Sequence, residues 1–490
     1  MTALGLLLSF AVMHASPSAA PLVLTTGYRQ TQFFNDGSTP ILPVSLVEVV
    51  NQPAFQSATL GILAVRLKDN EVLIRTGEQR ACMPASNQKL YTAAAALHIL
   101  GPDFTWKTEL AFRDGVLYLT FDGDPLLTRS KLKEAIRSLQ TSIKEPIQRI
   151  QIDDSHILGD AFGVAWQWDD IGLRFSAPIG AATIDSNTLH VTVKPPSSRT
   201  GQPTIVVEDG LLSLVGRVDI TDGVESKTTK QATAGVIIKR NPLKPEVSVT
   251  GTVRIGNELT TALVAVDNPT GAAFRRVQRI LTELGISVSP DIKMQTGERP
   301  NDLPPGMLLS SQPLSETLSG FLKASDNLYG ELLLRTLGRR QTMLGTPEAG
   351  INAVLQWCTD NHISANGLQP ADGSGLSMWN TVTALGTVQL LRLMADHSIF
   401  KNALPVGGVD GTLKSRFPEP DLKNRVFAKT GTLSVASALS GYVTDNNGET
   451  IVFSILMNHF DRKIGSSVAR KAQDDIVRFL ASSGKPQYSN

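Results

Sequence analysis

Apolar positions along this chain recur with two different spacings, and the switch between them divides it. Residues 41–50 have helix-like apolar spacing. Residues 58–67 and 71–75, joined through Lys68-Asp69-Asn70, read as a β-hairpin. The run Tyr91-Thr92-Ala93-Ala94-Ala95-Ala96-Leu97-His98-Ile99-Leu100 is rich in Ala and Leu and stops at Gly101-Pro102. That predicts a largely buried helix with Ser86 in its first turn. From about Trp106 the texture changes to short strands at 106–110, 116–121, 147–152, 189–193, 204–207, 211–215 and 247–255, with a helix at 129–143 and polar connections such as 221–234. Helical spacing returns at 272–284, at 314–338 as one or two helices around Ser325-Asp326-Asn327, at 383–394 and at 466–480. Lys429 opens a final sheet of two strands, 435–444 and 450–458, joined through Asp445-Asn446-Asn447-Gly448.

Helices and hairpins at both chain ends therefore enclose a β-rich middle. The simplest architecture is an α+β fold whose first hundred and last two hundred residues form one discontinuous domain, with the middle inserted. A length of 490 residues agrees, since it leaves room for about three domains. No internal repeat appears.

Composition narrows the function. Lys and Arg number 46 against 45 Asp and Glu, without long runs of either sign, so no nucleic-acid groove or polybasic membrane patch is expected. Residues 4–13 are apolar but too few to span a bilayer, and the small residues of 15–20 follow. This reads as an export signal lacking a charged start, cleaved near residue 20; no later run is long and apolar enough for a stable membrane span. Cys82 and Cys358 have no zinc-site spacing and are read as two separate buried thiols. The seven His residues are scattered without H-E-x-x-H, and G-x-S-x-G and G-x-G-x-x-G are absent, so neither a metal nor an organic cofactor is expected.

Three short motifs carry the chemistry. In Ser86-Asn87-Gln88-Lys89 the hydroxyl and amine lie three residues apart, on one face of a helix. A Lys buried among apolar residues and near a second cation loses its proton more readily, and a neutral Lys89 could deprotonate Ser86. Ser398-Ile399-Phe400-Lys401 fits the same pattern, and Ser364-Ala365-Asn366 fits the second motif, Ser325-Asp326-Asn327. The third, Lys429-Thr430-Gly431, occurs once. Order and context select Ser86, Lys89, Ser325, Asn327 and Lys429 together. A strand beginning at Lys429 can align an extended peptide, while its ammonium and the Thr430 and Thr432 hydroxyls take a terminal carboxylate. The backbone N–H groups of Ser86 and Thr432 can form an oxyanion hole. Ser325 can relay a proton to the leaving amine, and Asn327 can hold the substrate amide.

With this trio, the chain resembles the class C, low-molecular-mass penicillin-binding proteins, the D-alanyl-D-alanine carboxypeptidase/endopeptidase family. The resemblance also rests on Gly123-Asp124-Pro125, Asp153-Asp154-Ser155, Trp166-x-Trp168-Asp169-Asp170, Phe175-Ser176-Ala177-Pro178, Asp372-Gly373-Ser374-Gly375-Leu376-Ser377 and Gly408-Val409-Asp410-Gly411-Thr412-Leu413. It implies a serine transpeptidase/β-lactamase-like domain, an antiparallel sheet with helices, carrying two inserted β-rich domains. The expected division is a signal at 1–20, a catalytic domain from 21–106 and 300–490, one insert from 107–130 and 210–299, and a second from 131–209.

The implied activity is that of a periplasmic serine DD-peptidase: Ser86 forms an acyl-enzyme with peptidoglycan stem peptides, releasing D-Ala or a cross-linking amine, and β-lactam antibiotics act as covalent inhibitors at the same serine. Lys429, Thr430, Gly431 and Thr432 would bind substrate. In relatives that bind a diaminopimelate side branch, an Asp and a Phe corresponding to Asp170 and Phe175 line the pocket, with an Arg after G-S-G-L-S. Here Met378 stands in that place, and Ser434 follows K-T-G-T-L where a Gln is expected. No E-x-x-L-N element supplies the deacylating Glu of class A β-lactamases, which leaves Lys89, or a water near it, for deacylation. Two competing readings are a peptidoglycan-binding scaffold with vestigial residues and a β-lactamase or esterase on the same frame.

Overall fold

The structure is a computed structural model that describes residues 40–198, 201–221, 235–255, 258–303, 306–461 and 466–482; the expected export signal and most of the 221–234 connection lie outside these. The two chain ends build one antiparallel sheet in the order Val426–Leu433, Ala436–Thr444, Thr450–Asn458, Thr59–Arg66 and Val72–Thr76. Thr59 opposite Asn458 and Arg66 opposite Ile451 fix the register that closes the chain on itself. The middle strands are buried along almost their whole length because both faces of the sheet are covered. On one face, helices Val44–Val50 and Ser466–Ser482 pack Leu46, Ala472, Ile476, Val477 and Leu480 against Ile62, Ala64, Leu439, Phe453 and Ile455.

Helix Ala384–Leu393 lies against the central strands. Helix Gln88–Ile99 is buried on every side from Gln88 to Leu97, as an Ala-rich segment without a polar face allows. Around it pack Leu314–Ala324, Asn327–Thr342 and Pro347–Asp360. The expected interruption at 325–327 is real: Ser325 takes a left-handed φ of 59°, and the Asp326 side chain caps the following helix by accepting from Tyr329 N at 3.0 Å.

The middle of the chain forms two further bodies of sheet. A five-stranded sheet runs Val288–Thr296, Ile147–Asp153, Val116–Phe121, Lys107–Arg113, Met307–Ser310. Helices Arg129–Leu139 and Pro269–Glu283 cover it through Leu132, Ile136, Val277 and Ile280. Two smaller sheets, Thr260–Ala265 with Thr188–Lys194 and Thr204–Val207, and Glu246–Arg254 with Val236–Arg240, Ser213–Val215 and Val218–Thr221, share a Val-rich core.

Strand pairing crosses the boundary expected at residues 130 and 131. Ile147–Asp153 sits inside the five-stranded sheet, parallel to both Val116–Phe121 and Val288–Thr296. The reason is connective: parallel neighbours need a crossover, here helix Arg129–Leu139, so adjacent strands are far apart in sequence. The sequence reading also passed over helix Pro347–Asp360 and the strands at 218–221, 236–240, 260–265, 288–296 and 307–310. The polar loop around 166–178 contains two short 3₁₀ turns, Trp168–Asp170 and Arg174–Ser176. Cys82 and Cys358 are free and buried, as expected. Among the described residues no helix is long and apolar enough to cross a membrane.

Helices Asn327–Thr342 and Pro347–Asp360 touch through glycine: a Cβ on Gly350 would lie 2.1 Å from the Leu334 carbonyl oxygen. Gly320, on the exposed side of its helix, has nothing within 4 Å of such a position. Gly350→Ala is therefore expected to lower stability by about 2 kcal/mol or more through forced helix separation. Gly320→Ala should raise it by about 0.5–1 kcal/mol through helix propensity. Urea unfolding of the two variants checks both signs.

Candidate active site

Ser86 stands on a 3₁₀ turn, Ala85–Asn87, that runs into helix Gln88–Ile99. Ala85 has a φ of +46°, a conformation that L-residues rarely adopt, so the surroundings must enforce it. They do so from three sides. Asn458 grips Met83 by accepting from its N–H and donating to its carbonyl at 3.1 Å. Asn87 Nδ2 donates to Ser440 Oγ at 2.7 Å. Gly431 and Gly375 press directly on the turn: a Cβ on Gly431 would lie 2.6 Å from Pro84 O and 3.1 Å from Ser86 N, and one on Gly375 would lie 1.9 Å from Ala85 O. The glycine of K-T-G is therefore a matter of space.

Lys89 is completely buried, and its Nζ has three neighbours. Ser86 Oγ is at 3.0 Å, Asn327 Oδ1 at 2.6 Å and the Ser374 carbonyl at 2.6 Å. Two of these are acceptors without a proton to give. A neutral amine that donates one N–H to each keeps its lone pair for the third, the Ser86 hydroxyl. Burial brings Lys89 down to about 8, opposed by the charges of Asp372, Asp326 and Glu331. The drop from 10.5 corresponds to roughly 3 kcal/mol in favour of the neutral form.

The Ser374 carbonyl is itself held. Glu331, one helical turn beyond Asn327, accepts from Gly373 N at 3.1 Å and Ser374 N at 3.0 Å, and pairs with Arg335 at 3.1 Å. Asp372 ties the same turn together by accepting from Gly375 N, Ser377 N, Asn380 Nδ2 at 2.8 Å and Trp166 Nε1 at 3.0 Å. Burial lifts Glu331 to about 7, with Asp372 adding to the rise.

Lys429 lies in mid-strand, not at the strand start expected from sequence, and is equally buried. Its Nζ donates to Ser325 Oγ at 2.8 Å and to Thr430 O at 2.9 Å, and it has no carboxylate partner among the described residues. Burial, and then the charge of Lys89, push it well below the ordinary lysine range. The four expected groups Ser86, Lys89, Ser325 and Lys429, with Asn327, thus share one cleft. Strand Val426–Leu433 forms an edge of its sheet, and Thr432 on it is exposed.

The residues expected to line a side-branch pocket are less tightly bound in. Asn327 Nδ2 donates to the Phe175 carbonyl at 2.8 Å, which brings that segment to the cleft, while the Phe175 side chain is exposed. Asp170 is half-buried; burial, then neighbouring Asp169, raise its carboxyl, and no cation pairs with it among the described residues. Met378 Sδ accepts from Gln167 Nε2 at 3.3 Å, joining the 167–170 segment to the Ser374 loop, and Ser434 is exposed. The Lys401 of the other S-x-x-K match lies over the rings of Phe427 and Tyr442. Sequence reasoning missed the roles of Ser374, Glu331, Arg335 and Asp372. A signal existed, since Asn327, Glu331 and Arg335 fall four apart on one helical face.

Comparison with known proteins identifies the family. The model of the D-Ala-D-Ala carboxypeptidase 3 (S13) family matches residues 42–483. The D-alanyl-D-alanine carboxypeptidase of an Actinomadura species is 31% identical over 481 residues, covering 92% of this chain and 85% of that protein. The D-alanyl-D-alanine carboxypeptidase DacB of Haemophilus influenzae is 26% identical, with 88% and 92% coverage. The crystal structure of penicillin binding protein 4 from Haemophilus influenzae shares the fold with a TM-score of 0.76 at 24% identity, over 90% of this chain and all of the other. With the Ser86 turn and the paired buried lysines in place, a family match over nearly all the described length and a relative 31% identical lead to one conclusion: the chain belongs to the D-Ala-D-Ala carboxypeptidase 3 (S13) family.

Proposed function

We propose that this chain is a serine DD-peptidase that acts outside the cytoplasm on peptidoglycan stem peptides, removing the terminal D-Ala or opening D-Ala cross-links through an acyl-enzyme on Ser86. One observation carries the reading: Lys89 Nζ spends two contacts on the Asn327 and Ser374 oxygens, which leaves its third for Ser86 Oγ at 3.0 Å. The names of the relatives, carboxypeptidases acting on D-Ala-D-Ala, supply the substrate class.

In the proposed reaction Lys89 takes the Ser86 proton as Oγ attacks the penultimate D-Ala carbonyl. The oxyanion faces the backbone N–H groups of Ser86 and Thr432. Lys429 and Thr432 hold the terminal carboxylate beside Thr430, and Ser325 relays a proton from the lysines to the departing amine. Collapse of the tetrahedral adduct breaks the C–N bond, and a water activated at Lys89 then hydrolyses the ester. β-Lactams would acylate the same Ser86, as suits a family with a member structure described in complex with a β-lactam. Export to the periplasm accords with this substrate. A catalytic domain made from both chain ends, with the five-stranded body and the Val-rich body as its two inserts, fits the strand pairing.

Ser86→Ala is expected to abolish covalent labelling by a fluorescent penicillin and to reduce D-Ala release by at least about 1,000-fold. A wild-type protein that forms no adduct would favour a binding scaffold, and rapid turnover of the penicillin would favour a β-lactamase. The working form of Lys89 is the neutral one, so its activity is present above its folded value of about 8 and is lost as pH falls through it. The acylation rate should drop about tenfold per pH unit on the acid side, and Lys89→Met should abolish both the rate and this dependence. Met378 and Ser434 offer no charge to a side-branch carboxylate, whereas Asp170 offers one to its amine. Muropeptides with free and amidated diaminopimelate branches should be consumed at similar rates by mass spectrometry; strong dependence on the free carboxylate would overturn this assignment.

A further inference from the structure

The turn Gly411–Leu413 lies beside the K-T-G strand and bears a hydroxyl that the reaction above does not use. Thr412 is exposed, and its Oγ1 accepts from Thr430 Oγ1 at 2.7 Å. Thr430 spends its single hydroxyl proton on this bond. The proton left over in the pair is the one on Thr412, on the solvent side where an anion would arrive.

The turn is anchored so that this hydroxyl stays in place. Asp410 accepts from Val406 N at 3.0 Å and forms an ion pair with Lys323, in the last turn of the helix that ends at Ser325. Gly411 sits on that helix end with a φ of +56°, where a Cβ would come within 3.0 Å of the Lys323 carbonyl oxygen. The same few residues thus fix Thr412 against the strand that carries Lys429 and against the turn that carries Ser325.

We propose that Thr412 is a substrate-binding residue: its hydroxyl, which accepts the Thr430 O–H, donates its own proton beside Thr432 to the carboxylate of the departing D-amino acid. A hydroxyl chain in which one O–H donates to the next strengthens the terminal donor, and a carboxylate is the acceptor that gains most from it. The inference rests on the DD-peptidase reading and assigns the selectivity of its leaving-group side.

Two substrates with the same acyl half separate the outcomes: a peptide ending in D-Ala-D-Ala, and the phenyl ester of the same acyl-D-alanine, whose leaving group has no carboxylate. Thr412→Val is expected to lower the ratio of kcat/KM for peptide over ester about tenfold, chiefly through KM, and Thr412→Ser should restore it. An unchanged ratio, whether both substrates hold their rates or both lose equally, would overturn the proposal. Failure of the DD-peptidase reading is distinct, because the wild-type protein would then leave the peptide uncleaved, whether or not it consumed the ester.

Discussion

Two lysine amines buried in one cleft are the constraint on which the rest of this structure depends. Water would stabilise either as an ammonium, and the fold withholds it from both. Each amine is left with hydrogen bonds in place of hydration: Lys89 to Asn327, Ser374 and Ser86, Lys429 to Ser325 and Thr430. The acids differ between them. Asp372, Asp326 and Glu331 pull Lys89 toward its charged form without pairing with it, and no carboxylate touches Lys429 among the described residues. Lys89, brought down to about 8, therefore lies close to neutrality, as its proposed role as a base would need.

Distant segments must meet to produce this arrangement. The antiparallel pairing of Thr59–Arg66 with Thr450–Asn458 brings two distant parts of the chain into one sheet, and Asn458 at the end of that ladder clamps Met83, just before the Ser86 turn. Gly431 and Gly375 let the turn be squeezed from two sides. Glu331 and Arg335, buried as a pair, fix the carbonyl that takes one of the Lys89 hydrogens. Removing one partner of such a pair strands a buried charge, which costs about 3–5 kcal/mol. The support behind Lys89 is thus as exacting as the site itself.

The amino-acid sequence disclosed the side chains proposed to react and concealed much of what holds them. Ser86 and Lys89 are three apart on a helix, a local relation that periodicity exposes, and the buried Ala-rich run was legible for the same reason. The end sheet was legible through two apolar runs joined by the Asp-Asn-Asn-Gly turn. The Ser374 contribution was not, because a backbone carbonyl has no residue-type signature, although the D-G-S-G-L-S stretch around it was conspicuous. Glu331 looked like one more helix-forming residue. Ile147–Asp153 was grouped with the wrong neighbours because parallel pairing through a helix leaves no short-range mark. The strand expected to start at Lys429 begins three residues earlier, at Val426.

The lack of an acid beside Lys429 gains meaning when joined to the proposed chemistry. A peptide whose terminal carboxylate arrived there would bring the missing counter-charge, favouring the ammonium on Lys429. A positive Lys429 would in turn disfavour a second charge on Lys89, the direction in which two nearby like charges act. Correct substrate binding at the leaving-group end would thereby help make the base at the other end competent. Binding energy collected remote from the scissile bond would be expressed in the chemical step, as efficient catalysis requires. Ser325, donated to by Lys429 and two residues before the Asn327 that contacts Lys89, stands where the two events would join.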